Sequence, residues 1–257
     1  MTIDELLTRA TDEVIVQENL TNKLKSGKNL RVKLGIDPTG PDIHLGHAVP
    51  LRKLKAFQDM GHTAVFIVGD FTARIGDPSE KDKTRKALTV DEVKKNASSY
   101  FEQAFKIIDK EKTEVHMQSE WYEKMDLQKL FEIASKVSIN DLMKHETFKK
   151  RIETNAPFSL LEMMYPILQG YDSVEVKADV ELGATDQKFN ILMGRQIQKI
   201  YGQEEQDVVT LRYLTGLDGK EKMSKSLGNY IAIRDTASDM YGKVMSIPDN
   251  SILEMFV

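Results

Sequence analysis

The 257-residue chain has no cysteine. That excludes disulfides and any thiolate metal site. It also has no apolar run near the roughly 20 residues that a membrane-spanning helix needs, so no membrane partner is expected. A basic surplus is missing too: 36 Lys and Arg face 40 Asp and Glu, for a formal charge of −4. Bulk electrostatic attraction to nucleic acid is therefore not indicated, although a locally basic face fits within that total. The N-terminal MTIDELLTRATDEV is acidic and amphipathic. It fits neither a signal peptide nor a transit peptide, and a cytoplasmic protein is expected. Internal repeats and low-complexity stretches are absent as well.

What is present is an ordinary globular composition, 40% hydrophobic and 30% charged, long enough for one large domain or one domain plus part of another. Strand-like apolar runs fall at residues 31–36, 64–68, 114–117 and 208–211, with an extended stretch at 174–182. Helical spacing occupies residues 3–10, 14–25, 45–60, 127–137, 141–152, 158–171 and 186–200. Thr89 and Glu92 form a capping box for a further helix running to Ile108. Strands alternating with helices predict an α/β fold with a mostly parallel sheet.

Two polar segments carry the chemistry. The first, DPTGPDIHLGH, runs from Asp37 to His47 where a strand gives way to a helix, the usual ligand position in an open parallel sheet. His44 and His47 are three apart and share a face, with Gly46 between them leaving room for a flat group. Two imidazoles and helix amides suit phosphate oxygens that gain charge in a transition state. A metal site there lacks a third histidine or cysteine, and no metal ligand set is assigned. The second segment, EKMSKSLGNY, places Lys222 and Lys225 among Ser224 and Ser226 on a polar turn.

HLGH and KMSKS, in this order and each after a strand, resemble the two signature motifs of class I aminoacyl-tRNA synthetases. The resemblance implies a Rossmann-like parallel sheet with helices on both faces, a helical insertion, and adenylation of an amino acid by ATP with Mg2+. It implies that His44, His47, Lys222 and Lys225 carry catalysis. Thr39, Gly46, Ser224, Lys81 and Arg85 would contact ATP, with Asp186 on the ribose hydroxyls.

The segment YPILQGYD puts Tyr165, Gln169 and Asp172 on one face of an apolar helix, which suggests a lined pocket. It resembles the tyrosyl-tRNA synthetases. There it implies that Tyr165 and Gln169 hold the substrate ammonium and that Asp172 accepts from the phenol hydroxyl. Leaving such a buried acceptor unpaired is costly, and the tyrosyl enzymes are themselves the standing example of that discrimination against phenylalanine. Asp37, Thr72 and Asp77 would line the amino-acid site, and Gln187 would reach the substrate carboxylate. A plain helix cap by Thr185 or Asp186 is the bland alternative for GATDQ.

The resemblance covers residues 30–233. It implies a catalytic domain over 1–235, an insertion at about 126–166, and the start of a truncated helical anticodon-binding region at 236–257. A homodimer through the insertion is implied, with Leu130, Phe131, Leu142 and Leu160 as interface or core. Tyrosine, ATP and tRNA(Tyr) would be its substrates. Many tyrosyl enzymes place a tyrosine where this chain has Lys33, so a second ligand for the phenol is unassigned. Open alternatives are a tryptophanyl-type enzyme, and a fragment or paralogue with an RNA-binding role and no charging activity.

Overall fold

The computed structural model describes residues 1–79 and 88–256. Thr2 opens α1 (Ile3–Thr8) with a reciprocal box: its hydroxyl accepts from the Glu5 N–H at 3.1 Å, and Glu5 accepts from the Thr2 N–H at 2.8 Å. Then follow β1 (Thr11–Ile15), α2 (Gln17–Lys25), β2 (Arg31–Ile36), α3 (Leu45–Asp59), β3 (Thr63–Val68), α4 (Val90–Ala104) and β4 (Thr113–Met117). Four short helices come next: α5 (Ser119–Tyr122), α6 (Leu127–Ser135), α7 (Ile139–Leu142) and α8 (Glu146–Glu153). The long α9 (Leu160–Glu175) leads to β5 (Val180–Ala184), α10 (Lys188–Ile200) and β6 (Asp207–Leu211). Finally α11 (Ala237–Met245) and α12 (Ile252–Phe256) follow the lysine-rich turn.

The six strands form one sheet of order β1-β6-β5-β2-β3-β4, parallel except for β1, which runs antiparallel to β6. From β2 the chain runs outward through β3 and β4 on one side and returns to add β5 and β6 on the other, with β1 at that far edge. The carboxyl ends of β2 and β5 therefore flank the switch point where such sheets bind ligands. The expected α/β fold is correct.

Several boundaries differ from the sequence reading. Residues 14–25 are not one helix: Thr11–Ile15 is the edge strand, and Val16 takes φ 62° before α2 begins. A β-branched residue in the left-handed region is unusual, and helical spacing alone does not reveal it. The stretch 174–182 is extended only at its end, because α9 continues to Glu175 and the strand starts at Val180. Residues 141–152 break into α7 and α8, with His145 as the cap between them. The Thr89–Glu92 box is present, although α4 ends at Ala104 rather than at Ile108.

Val32, Leu34, Phe66 and Val68 pack with Leu51, Leu54 and Phe57 of α3 in the main core. Each fully buried side chain of this size contributes roughly 1.5–3 kcal/mol. A second cluster joins α9 and α10 to Tyr122, Ile133 and Leu142. Of the interface candidates, Leu142 belongs to this core, while Phe131 and Leu160 are 66% and 75% exposed. Among the described residues, no helix is long and apolar enough to cross a membrane.

Candidate active site

The site forms where the parallel strands end. Asp37 follows β2, Gly69 follows β3, Gln118 follows β4 and Thr185 follows β5. His44 is the residue that caps α3 rather than part of its first turn, and His47 is its third helical residue. The imidazole centroids lie 3.8 Å apart, and the His44 N–H donates to His47 Nδ1 at 3.2 Å. Neutral His47 therefore keeps its proton on Nε2 as a donor. Burial, reinforced by Lys225 and Lys222, lowers the His44 pKa to about 3. His47 is held well below its usual range by burial, then by His44 and the same two lysines. Both rings are neutral near pH 7 and can each donate one hydrogen bond to phosphate. Gly46 is required by His44 itself, since a Cβ there would come within 2.9 Å of that imidazole.

The lysine turn is strapped to this helix entry. Leu45 N–H donates to the Ile231 carbonyl at 3.0 Å, and Ile233 N–H donates to the Ile43 carbonyl at 2.9 Å. Met223 is buried and its N–H donates to Leu214 at 2.8 Å, which anchors the middle of the turn. Asn229 holds both ends: its Oδ1 accepts from Ser224 N–H at 2.8 Å and its amide donates to Asp218 at 2.6 Å. The two cations have resting partners. Lys222 donates to Asp186, and Lys225 donates to the Tyr100 hydroxyl with its ammonium 5.0 Å from that ring's centroid. Lys225 also lies against Gly40. The Ser224 hydroxyl pairs with Ser226 at 2.9 Å.

A continuous polar line crosses the floor. Tyr165 OH donates to Asp37 Oδ2 at 3.0 Å. Thr72 Oγ1 lies 2.7 Å from Asp37 Oδ1 and 2.8 Å from Gln118 Oε1, so its one proton is shared between two acceptors. Gln118 then donates to Asp172 Oδ2 at 2.6 Å. Gly69 makes this geometry possible, because a Cβ there would stand 2.0 Å from Asp37 Oδ1 and 2.6 Å from Thr72 Oγ1. Beside the line, Gln187 donates to Asp77 Oδ2 at 2.5 Å, and Asn190 donates to Gln187 Oε1 at 3.1 Å.

Asp172 is 2% exposed and well supplied with donors. Its Oδ1 accepts from Trp121 Nε1 at 3.1 Å and from Tyr122 OH at 3.0 Å. Burial raises its pKa to about 7, against the opposing pull of Lys33 and the hydrogen bonds from Gln118 and Tyr122. Lys33 lies beneath α9 and is wholly buried, paired to Glu181 at 2.9 Å and donating to the Gln169 carbonyl at 3.0 Å and Ser173 Oγ at 2.8 Å.

The structure thus gathers Asp37, Thr72 and Tyr165; Asp77 and Gln187; and Lys222 and Asp186. Gln169 sits half-buried between Tyr165 and Asp172 on α9 as its spacing predicts. Thr39 lies in the turn after β2, its N–H donating to the Asp37 carbonyl at 2.8 Å. Lys81 and Arg85 lie outside the described residues. The capping alternative for Thr185 and Asp186 fails: α10 starts after Gln187 with no side-chain cap, and Thr185 donates to Asp12 and Leu211. Gly69, Tyr100, Gln118, Trp121, Tyr122 and Asn190 were not foreseen. The segment QSEWY, directly after β4, carried a signal, since residues following a parallel strand face the ligand edge.

Three comparisons relate the chain to known proteins. The profile of the family tRNA synthetases class I (W and Y) matches residues 25–256. The tyrosine–tRNA ligase of Carboxydothermus hydrogenoformans is 53% identical over 253 residues, 97% of this chain and 62% of that protein. That of Thermotoga maritima is 51% identical over 250 residues, again 97% of this chain and 62% of the relative. The chain therefore spans less than two thirds of the length of these curated relatives. In fold it is similar to the crystal structure of tyrosyl-tRNA synthetase complexed with L-tyrosine from Archaeoglobus fulgidus: the TM-score is 0.78, with 24% identity over 95% of this chain and 73% of that one. With paired imidazoles strapped to a lysine turn at the ends of a parallel sheet, and a family match across most of its length, this chain belongs to the class I tRNA synthetases of the tryptophan and tyrosine group.

Proposed function

We propose that this chain activates L-tyrosine with ATP to tyrosyl-adenylate and transfers the tyrosyl group to tRNA(Tyr). The observation that carries the reading is Asp172, a buried carboxylate on the same helix face as Tyr165 and Gln169, set at the end of the polar line from Asp37. An ionised Asp172 would accept a hydrogen bond from the phenol hydroxyl, while Tyr165, Gln169 and Asp77 would receive the ammonium. The names of the relatives support tyrosine over tryptophan.

In activation the substrate carboxylate attacks the α-phosphorus of ATP and the bond to pyrophosphate breaks. Nothing becomes covalently attached to the protein. Gln187 would orient the carboxylate and Asp186 the ribose, while Thr39 and Gly46 would lie along the nucleotide. Negative charge grows on the phosphates, where His44, His47, Lys222, Lys225 and Ser224 would meet it. Lys222 must leave Asp186 and Lys225 must leave Tyr100 to do so, a local closure suited to a turn. Magnesium would enter with ATP, whose phosphates supply its oxygen ligands. In transfer, a terminal ribose hydroxyl of the tRNA attacks the tyrosyl carbonyl and AMP leaves.

The accompanying proposals are a catalytic domain over residues 1–235, an insertion at about 126–166, the start of a helical region from 236, and a cytoplasmic location. A homodimer through the insertion is supported by exposed Leu127, Phe131, Ile139, Ile152 and Leu160. The test is ATP–pyrophosphate exchange with tyrosine, tryptophan or phenylalanine. Exchange with tyrosine alone is the expected result. Exchange with tryptophan would favour the sister specificity. No exchange in a folded sample that binds ATP would favour a paralogue with an RNA-binding role.

A further inference from the structure

His145 belongs to no motif of the site, yet it is 4% exposed and tied into it. Its Nδ1 accepts from the Thr147 N–H at 3.2 Å, which caps α8. Burial lowers its pKa, so the ring is neutral and the proton lies on Nε2. Nε2 is 3.3 Å from Ser79 Oγ and is therefore the donor in that contact. Ser79 in turn donates its N–H to Asp77 Oδ1 at 2.8 Å. Asn190, wholly buried, donates weakly to Asp77 Oδ1 at 3.3 Å and to Ser79 Oγ at 3.4 Å, and also to Gln187. The imidazole further packs edge-on to Phe189, with centroids 4.8 Å apart, and beside Phe148 at 4.7 Å. Phe189 is two residues from Gln187 on the same stretch of chain.

We propose that His145 is a positioning residue of the amino-acid site, linking the short helices α7 and α8 to Asp77 and Gln187 through Ser79. The inference rests on Asp77 and Gln187 being amino-acid ligands. A carboxylate at a site of this kind has rotational freedom unless its neighbours remove it. Here Oδ1 of Asp77 takes the Ser79 N–H and Oδ2 takes Gln187, so its plane is set from both sides. His145 fixes Ser79 from an element that is not part of the sheet. Movement of α7–α8 would then be felt as a change in tyrosine binding rather than in ATP binding.

The test uses two variants of the full chain. His145→Asn keeps a good helix cap for Thr147 and removes the reach to Ser79. Ser79→Ala removes the acceptor and leaves α8 untouched. KM for tyrosine, KM for ATP and kcat are measured in pyrophosphate exchange, with tyrosine binding by equilibrium dialysis and Tm alongside. Both variants should raise the tyrosine KM and Kd about three- to tenfold, the worth of one hydrogen bond, with ATP KM and kcat within about twofold. An unchanged tyrosine Kd in both variants overturns the inference while leaving the functional reading intact. So does a parallel rise in both KM values with a fallen Tm, which marks a merely structural role. A wild type that binds no tyrosine overturns the functional reading, and this inference with it.

Discussion

The ammonium of Lys222 rests on the carboxylate of Asp186, so a cation of the second motif occupies the acid expected to hold ribose. The other oxygen of that carboxylate, Oδ1, is buried and has no hydrogen-bond partner among the described residues. Asp186 is thus half satisfied and able to exchange an ammonium for sugar hydroxyls. Lys222→Ala should lower kcat for exchange by about a hundredfold, with tyrosine KM little changed, because its charge matters most as pyrophosphate leaves. A double-mutant cycle with Asp186→Asn should be non-additive, since the two groups touch. Steady-state exchange kinetics on the four proteins provides the check.

Asp172→Asn should erase the preference for tyrosine over phenylalanine, with tyrosine KM raised about ten- to a hundredfold, the cost of leaving a buried hydrogen-bonding group poorly matched. The pH dependence follows from its pKa of about 7, raised by burial. In the folded protein Asp172 retains its proton well above the ordinary carboxylate range. Its contribution to stability is full below that range and is lost as pH rises through about 7. Phenol acceptance has the opposite trend, so tyrosine Kd should fall as pH rises through about 7, and phenylalanine Kd should not. Equilibrium dialysis of both amino acids from pH 6 to 8.5 measures this.

Gly69→Ala should damage the site without altering a functional side chain. Its Cβ would stand 2.0 Å from Asp37 Oδ1, in a place neither neighbour vacates freely. A loss of about 1–3 kcal/mol in urea denaturation is expected, the usual range for overpacking. Tyrosine KM should rise as the Asp37–Thr72 contact opens.

His44 should make the fold acid-sensitive. Its pKa is lowered to about 3 in the folded chain, chiefly by burial, whereas an unfolded histidine takes up a proton near 6.5. Its contribution is present above the ordinary value and is lost as pH falls toward about 3. Urea midpoints measured between pH 4 and 7 should fall less steeply in His44→Asn than in the unaltered protein.

How much was legible differs from element to element. HLGH and KMSKS could be read because their chemistry is local: adjacent imidazoles on a helix entry, and flexible ammonium groups on a polar turn. The Tyr165–Gln169–Asp172 face could be read because α-helical spacing is regular. The edge strand β1 could not, since its pairing partner is β6, almost two hundred residues away, and Val16 hides the break. Trp121 and Tyr122 could not, because their hydrogen bonds to Asp172 cross from α5 to α9, some fifty residues along the chain. Lys33 gave a misleading cue: its place suggested a missing phenol ligand, whereas the chain uses it as a buried partner for Glu181.

The sequence by itself determined the α/β alternation, the HLGH and KMSKS motifs and the helix face that carries Asp172, because each depends on residues close together in the chain. Only the tertiary structure decided which groups meet. The order β1-β6-β5-β2-β3-β4 brings Asp37, Thr72, Gln118 and Asp172 into one line of hydrogen bonds. It also fixes the charge states, since the shifts at His44 and Asp172 come first from burial. Burial is a property of packing among distant segments, and no local pattern of residues contains it.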